Sequence, residues 1–202
     1  MLHAAAPQPL DVRTTAADYA DLYAKLGWRI APGTYRDAAG SCSCGLSNCD
    51  RPGLHPADPG WGEQATTRPQ TLNGWLTDAP GCLVTPVGEC FDVIAISAPA
   101  GHRLLAALEH ADIVLGPVLR TPGALHVFTA VASPIPALPF GAIWLPTDGY
   151  AVLPVGGPEP QAVQWLVPPT PVNAQALPEP AAVATHLTRS CDQFPSRCKE
   201  AP

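Results

Sequence analysis

The chain has 202 residues, 47% of them hydrophobic and 14% charged, so it can bury a core and is not a disordered chain. A formal charge of -6 and a pI near 5.4 exclude a global basic field; any nucleic-acid partner needs a local groove built from 11 Lys and Arg. The 26 prolines predict short elements joined by stiff loops. Met1 to Leu10 lacks a basic start followed by an apolar run, and no stretch approaches the roughly 20 apolar residues of a membrane span. The expectation is a cytoplasmic protein with no signal peptide and no membrane partner.

In chain order, Thr14 to Leu26 predicts a helix with Ala17, Tyr19, Ala20, Leu22, Tyr23 and Leu26 on a buried stripe and Gly27 as its terminator. Asp21 and Lys25 pair at i,i+4 on its solvated face. Trp28 to Ala31 reads as a short strand stopped by Pro32 and Gly33. Residues 34–64 are polar and rich in Gly and Cys, a loop long enough to need its own stabiliser. A short helix is expected from Pro69 to Leu76. Cys82 to Pro86 and Phe91 to Ser97 are apolar runs around Gly88, expected as a hairpin or two adjacent strands.

Gly101 to Ala111 predicts a helix with Leu104, Leu105 and Leu108 at core spacing. Strands are expected at Gly116 to Thr121, Leu125 to Val131, Ala142 to Leu145, Tyr150 to Pro154 and Val163 to Val167. Gly156-Gly157 reads as a turn, since no phosphate-loop motif is present. Pro168 to Pro180 reads as a rigid linker to a last helix from Pro180 to Cys191, and residues 191–202 as a flexible tail. Alternating helix and strand followed by a largely β half describes an α/β (α+β) domain. Trp28, Trp61, Trp75, Trp144 and Trp165 could stack bases, but their places in predicted core elements favour packing.

Seven cysteines in a chain without an export signal read better as metal ligands or buried thiols than as disulfides. Four donors fall in one short segment, C-S-C-G-L-S-N-C-D-R-P-G-L-H-P: Cys42, Cys44, Cys49 and His55. Three thiolates and an imidazole are a tetrahedral zinc set, and Gly45, Pro52 and Gly53 let the backbone fold back around one ion. Four protein ligands would close the site, making the zinc structural. The bland alternative is unrelated thiols and a surface histidine. Cys82 and Cys90 lie in apolar runs and read as buried thiols; Cys191 and Cys198 are too isolated to interpret.

The order of these features carries a resemblance. A helix ending in Gly27-Trp28, a strand and Pro32 lead into the C-x-C, C, P-G-x-H-P segment. Ala65-Thr66, a helix with Trp75, Pro80 and a strand running into Gly88 follow. After Phe91 to Gly101 come T-P-G-A-L-H-V-F (Thr121 to Phe128) and D-G-Y-A-V-L-P (Asp148 to Pro154). The series resembles the N-terminal bifunctional DNA primase/polymerase (Prim-Pol) domain family, as a divergent bacterial member. It covers about residues 14–190, with 40–56 as the zinc-binding loop.

What the resemblance implies is an archaeo-eukaryotic-primase-like catalytic fold: a mixed sheet with flanking helices and a zinc-binding loop. It also implies nucleotidyl transfer in DNA replication through two divalent ions, Mg or Mn, held by three acids. Two of those acids stand in D-x-D spacing on one strand, and a strand histidine contacts the nucleotide's phosphates.

Here the chain departs from the pattern. The strand expected to carry D-x-D reads F-D-V-I-A-I-S, placing Ala95 and Ser97 at the acid positions. Asp92, three residues from Ala95, should face the other side unless a slip or bulge turns it. The third acid falls near Ile143 or Trp144; Asp148 follows in a turn-like T-D-G, where an Asx turn is the bland reading. Only His126 is retained, and Arg103 and Arg120 are expected to border an anionic-ligand site with it. Mg or Mn enters only if the chain is catalytically active, because Mg²⁺ demands hard oxygen ligands.

The expectation is a primase/polymerase-like protein with weakened or lost transfer. It would serve as a nucleotide- or single-stranded-DNA-binding accessory subunit, with replication proteins such as a helicase as partners. The competing readings are an enzyme that recruits Asp92, Asp112 or Asp148, and a non-catalytic zinc-stabilised protein-interaction module.

Overall fold

The computed structural model describes residues 15–78, 81–139, 141–155 and 162–193; the readings of Met1 to Leu10, Pro80, Gly156-Gly157 and Cys198 fall outside these. Helix α1 (Ala16–Lys25) opens with a reciprocal cap, in which Asp18 N donates to Thr15 Oγ1 (3.2 Å) and Thr15 N to Asp18 Oδ2 (2.8 Å). It ends where Gly27 takes φ +74°, which lets Trp28 N reach back to Tyr23 O at 3.1 Å. Strand β1 (Ala31–Pro32) follows, then α2 (Trp61–Gln64), α3 (Pro69–Asp78) and β2 (Leu83–Pro86).

The second half begins with β3 (Asp92–Ser97), α4 (Ala98–His110), β4 (Val118–Thr121) and β5 (Ala124–Thr129). It continues with β6 (Ala142–Trp144), β7 (Tyr150–Leu153), β8 (Gln164–Val167), α5 (Pro171–Gln175) and α6 (Pro180–Gln193). Helix α6 thus runs past residue 191, where a tail was expected to start. Spacing of four continues its buried stripe through Val183, Leu187 and Cys191. Helix α5 occupies the segment read as a linker; Thr170 caps it, accepting from Asn173 N at 3.1 Å.

Two sheets form. One has the order β1-β2-β7, the other β6-β3-β5-β4-β8. The single mixed sheet is corrected here: every pairing between named strands is antiparallel. β3 and β4 do run the same way, joined through α4, but β5 inserts between them and pairs with both. The expected β2–β3 neighbourhood is also corrected, since β2 pairs with β1 and β7 in the smaller sheet. No helix among the described residues is long and apolar enough to cross a membrane.

Alternation along the strands divides the larger sheet into two faces. Ile94, Ile96, Leu125 and Val127 pack on Leu104 and Leu108 of α4 and Val183 and Leu187 of α6. Val93, Leu119 and Phe128 turn the other way, into a core shared with α1 and the smaller sheet. At its centre Trp28 lies 4.8 Å from Phe91, which lies 4.7 Å from Phe128, ring centroid to centroid. Beside them the buried Tyr23 hydroxyl donates to Pro154 O (2.8 Å) and accepts from Trp165 Nε1 (3.0 Å). Tyr23→Phe strands both partners in the core, and chemical denaturation should show a loss of about 1–3 kcal/mol.

Candidate functional site

Residues 34–56 form a strap pinned at both ends, with bridges Gly33↔Pro56 and Arg36↔Cys42. Asp37 Oδ1 accepts from Ala39 N (2.9 Å) and Ser41 N (2.8 Å), an Asx turn that sends the chain back toward Cys42. Gly45 and Gly53 adopt φ of +78° and +73°, which the two reversals require. The Cys42, Cys44 and Cys49 thiols and a His55 ring nitrogen then lie within 4.8 Å of one another.

His55 Nε2 is 3.3 Å from Cys42 Sγ and 3.4 Å from Cys49 Sγ. Around zinc, bonds of about 2.3 Å to sulfur and 2.0–2.1 Å to nitrogen give a sulfur–nitrogen edge of roughly 3.6 Å, so the donors fit. His55 Nδ1 is 2.8 Å from Pro56 O, which can only accept, so Nδ1 carries the proton and Nε2 is left as the donor atom. Burial opposes a thiolate at Cys42. The N–H groups of Cys44 and Gly53 outweigh it and bring the thiol down to about 5. The cluster could hold a structural zinc. Loaded protein should contain a single zinc per chain by elemental analysis. Cys49→Ser should abolish it and lower the melting temperature by about 10 °C.

Of the positions where metal-binding acids were expected, Ala95 and Ile143 lie in one row across the larger sheet. Ala95 pairs with Ile143 on one side and with His126 on the other, and His126 in turn pairs with Leu119. Partners across antiparallel strands share a face, so these side chains and Ser97 look the same way. Ala95, Ser97 and His126 are buried, and neither Ser97 Oγ nor His126 Nδ1 has a hydrogen-bond partner. Ile143 is 52% exposed.

The candidate carboxylates lie elsewhere. Asp92 faces away from Ala95, and its Oδ2 accepts from Ala132 N at 2.7 Å. Asp112 takes φ +54° just past α4, where Ile113 N returns to Leu108 O, a helix-terminating role. Asp148 takes φ +69° in the exposed turn before β7. Among the described residues, the cysteine–histidine cluster is the one group of three or more Cys, His, Asp or Glu placed to hold a metal.

Arg120 and Arg103 do not converge with His126, and both expectations are corrected. Arg120 pairs with Leu125 and bonds Gln164, on the face opposite His126. Arg103 rides on α4, the helix that covers that opposite face. Two arginines of the strap take their place. Arg36 and Arg51 line a cavity of about 290 Å³ together with Asp50, Thr121 and His126.

Arg36 Nε donates to Pro52 O (3.0 Å), and the Arg51 guanidinium lies 5.7 Å from the Tyr150 ring centroid. Sequence reasoning missed both, although Arg51 stands between two ligands in the D-R-P-G-L-H run. The tryptophans are packing residues: Trp28 is buried, Trp61 meets Tyr150 edge-on, and Trp144 Nε1 donates to Pro136 O at 2.8 Å.

Burial first, and then the charge of Arg51, lowers the His126 pKa to about 4 from the ordinary 6.5. The unfolded chain therefore takes up this proton before the folded one does. The stability tied to neutral His126 is complete above about pH 6.5 and is lost as pH falls through about 4. His126→Gln should flatten the fall in denaturation free energy over that window by up to about 3 kcal/mol.

The sequence profile described as bifunctional DNA primase/polymerase, N-terminal, matches residues 20–182. No curated protein and no solved structure matches the chain.

Proposed function

The chain belongs to the bifunctional DNA primase/polymerase N-terminal (Prim-Pol) family, and from that premise we propose a DNA primase/polymerase-like domain with nucleotidyl transfer weak or lost. Its role on this reading is to bind a nucleotide or single-stranded DNA as an accessory of DNA replication, with replication proteins such as a helicase as partners. One observation carries it: the Ile143–Ala95–His126 row and Ser97 bring no carboxylate to the face where the family pattern puts three.

Two-metal transfer needs anionic oxygens to hold the ions that activate the attacking hydroxyl and stabilise the departing pyrophosphate. Ala95 and Ile143 have no donor atom, and Ser97 has only a neutral hydroxyl. Mg²⁺, which gives up its water reluctantly, gains little from such a floor. His126 can still present a ring nitrogen to a phosphate oxygen, an interaction that requires no divalent ion. Zinc at Cys42, Cys44, Cys49 and His55 would order the strap and take no part in chemistry, because all four positions of its tetrahedron are protein donors.

Primer synthesis and primer extension with Mg²⁺ or Mn²⁺ test this reading. Incorporation should stay at least about 10³-fold below that of an acid-bearing relative, since loss of a metal platform removes several kcal/mol of transition-state stabilisation. Robust incorporation that His126→Ala abolishes would defeat it.

A further inference from the structure

The cavity beside His126 is roofed by the same strap that carries the metal ligands. His126 is 5% exposed, lines that cavity, and has an Nδ1 with no partner, a polar atom buried at the cost of its hydration. Two arginines whose backbones belong to the strap line the same cavity. Arg36 is tied to Pro52 O by Nε, leaving its terminal nitrogens outside that bond. Arg51, two residues after Cys49, is steadied against the Tyr150 ring. Among the described residues that line it, the one carboxylate is the exposed Asp50.

The geometry points to a phosphate pocket completed by the strap, in which Arg36 and Arg51 join His126 to grip the polyphosphate tail of a nucleoside triphosphate. This rests on the nucleotide-binding reading of the His126 face and adds the residues that would give it affinity. Guanidinium groups present forked donors that match phosphate oxygens, and they stay charged at any working pH. A neutral imidazole adds an N–H donor. Convergence of these groups on one cavity of about 290 Å³ suits contiguous phosphates better than a strand backbone, whose charges are spaced one per nucleotide. Because both cations ride on the strap, ligand binding and strap order are linked and each must favour the other.

The test is calorimetric titration of the zinc-loaded full chain with dATP and with inorganic tripolyphosphate. Arg51→Gln and, separately, Arg36→Gln should weaken both ligands by about tenfold or more at unchanged zinc content. Asp50→Asn should tighten both. Hydrogen exchange supplies a second readout: dATP should slow amide exchange across residues 41–55 in the wild type and fail to do so in Arg51→Gln.

If dATP binds, is lost in His126→Gln and is indifferent to both arginine substitutions, this pocket is overturned while the His126 reading stands. No binding of dATP to the wild type would overturn both. Tighter, arginine-dependent binding of a single-stranded oligonucleotide than of dATP would overturn the polyphosphate assignment in favour of a strand.

Discussion

Strands β3 and β5 pair over six residues each, from Asp92↔Thr129 to Ser97↔Ala124, and the step of that ladder decides what the site contains. A slip of β5 by one residue would carry His126 to the helix-covered face, and a slip of β3 would instead turn Asp92 to the face of His126. The step is held along its length, since Ile94, Ile96, Leu125 and Val127 are wanted by α4 and α6, while Val93 and Phe128 are wanted by the aromatic core. On the other side of β5 the two-residue turn Pro122-Gly123, where Gly123 takes φ +83°, fixes the β4–β5 register by pairing Thr121 with Ala124. With both faces committed, His126 and Ala95 have no alternative placement.

The electrostatics of the site follow from this. A face built around three anions would repel phosphate unless cations intervened; Ala95, Ser97 and Ile143 are neutral, and the charged residues lining the adjoining cavity, Arg36, Asp50 and Arg51, come from the strap. The acids that could have been recruited from the chain's second half have other duties: Asp92 satisfies a loop N–H, and Asp112 and Asp148 occupy left-handed turns, while Asp50 lines the cavity from the strap. Burial is the larger cause of the lowered His126 pKa, and the Arg51 charge adds to it in the same direction.

Much of this was legible in the residues. The helical stripes of α1, α4 and α6 and the apolar runs of β3 and β5 repeat at their own periods, and the ligand spacing of the strap marked a metal cluster before any geometry was known. Partners distant in sequence were not legible: β2 finds β7, whose Tyr150 to Leu153 lie beyond four intervening strands, and adjacency to β3 in the chain misled. Helix α5 was hidden by flanking prolines, though Thr170 and Asn173 hold the cap spacing that could have exposed it. Arg120 was misplaced for a simpler reason. A two-residue turn at Pro122-Gly123 sets Leu119, and so not Arg120, opposite His126, an inference available from alternation alone.

The buried hydroxyl of Tyr23 joins an early helix to Pro154 and Trp165, 131 and 142 residues further along the chain. A nascent polypeptide cannot complete its aromatic centre until β8 has been synthesised, and until then it exposes tryptophan and phenylalanine to solvent. Such long-distance closure slows the search for the native state and makes its loss all-or-none. Neither half of the domain alone therefore holds all the partners that close this aromatic core.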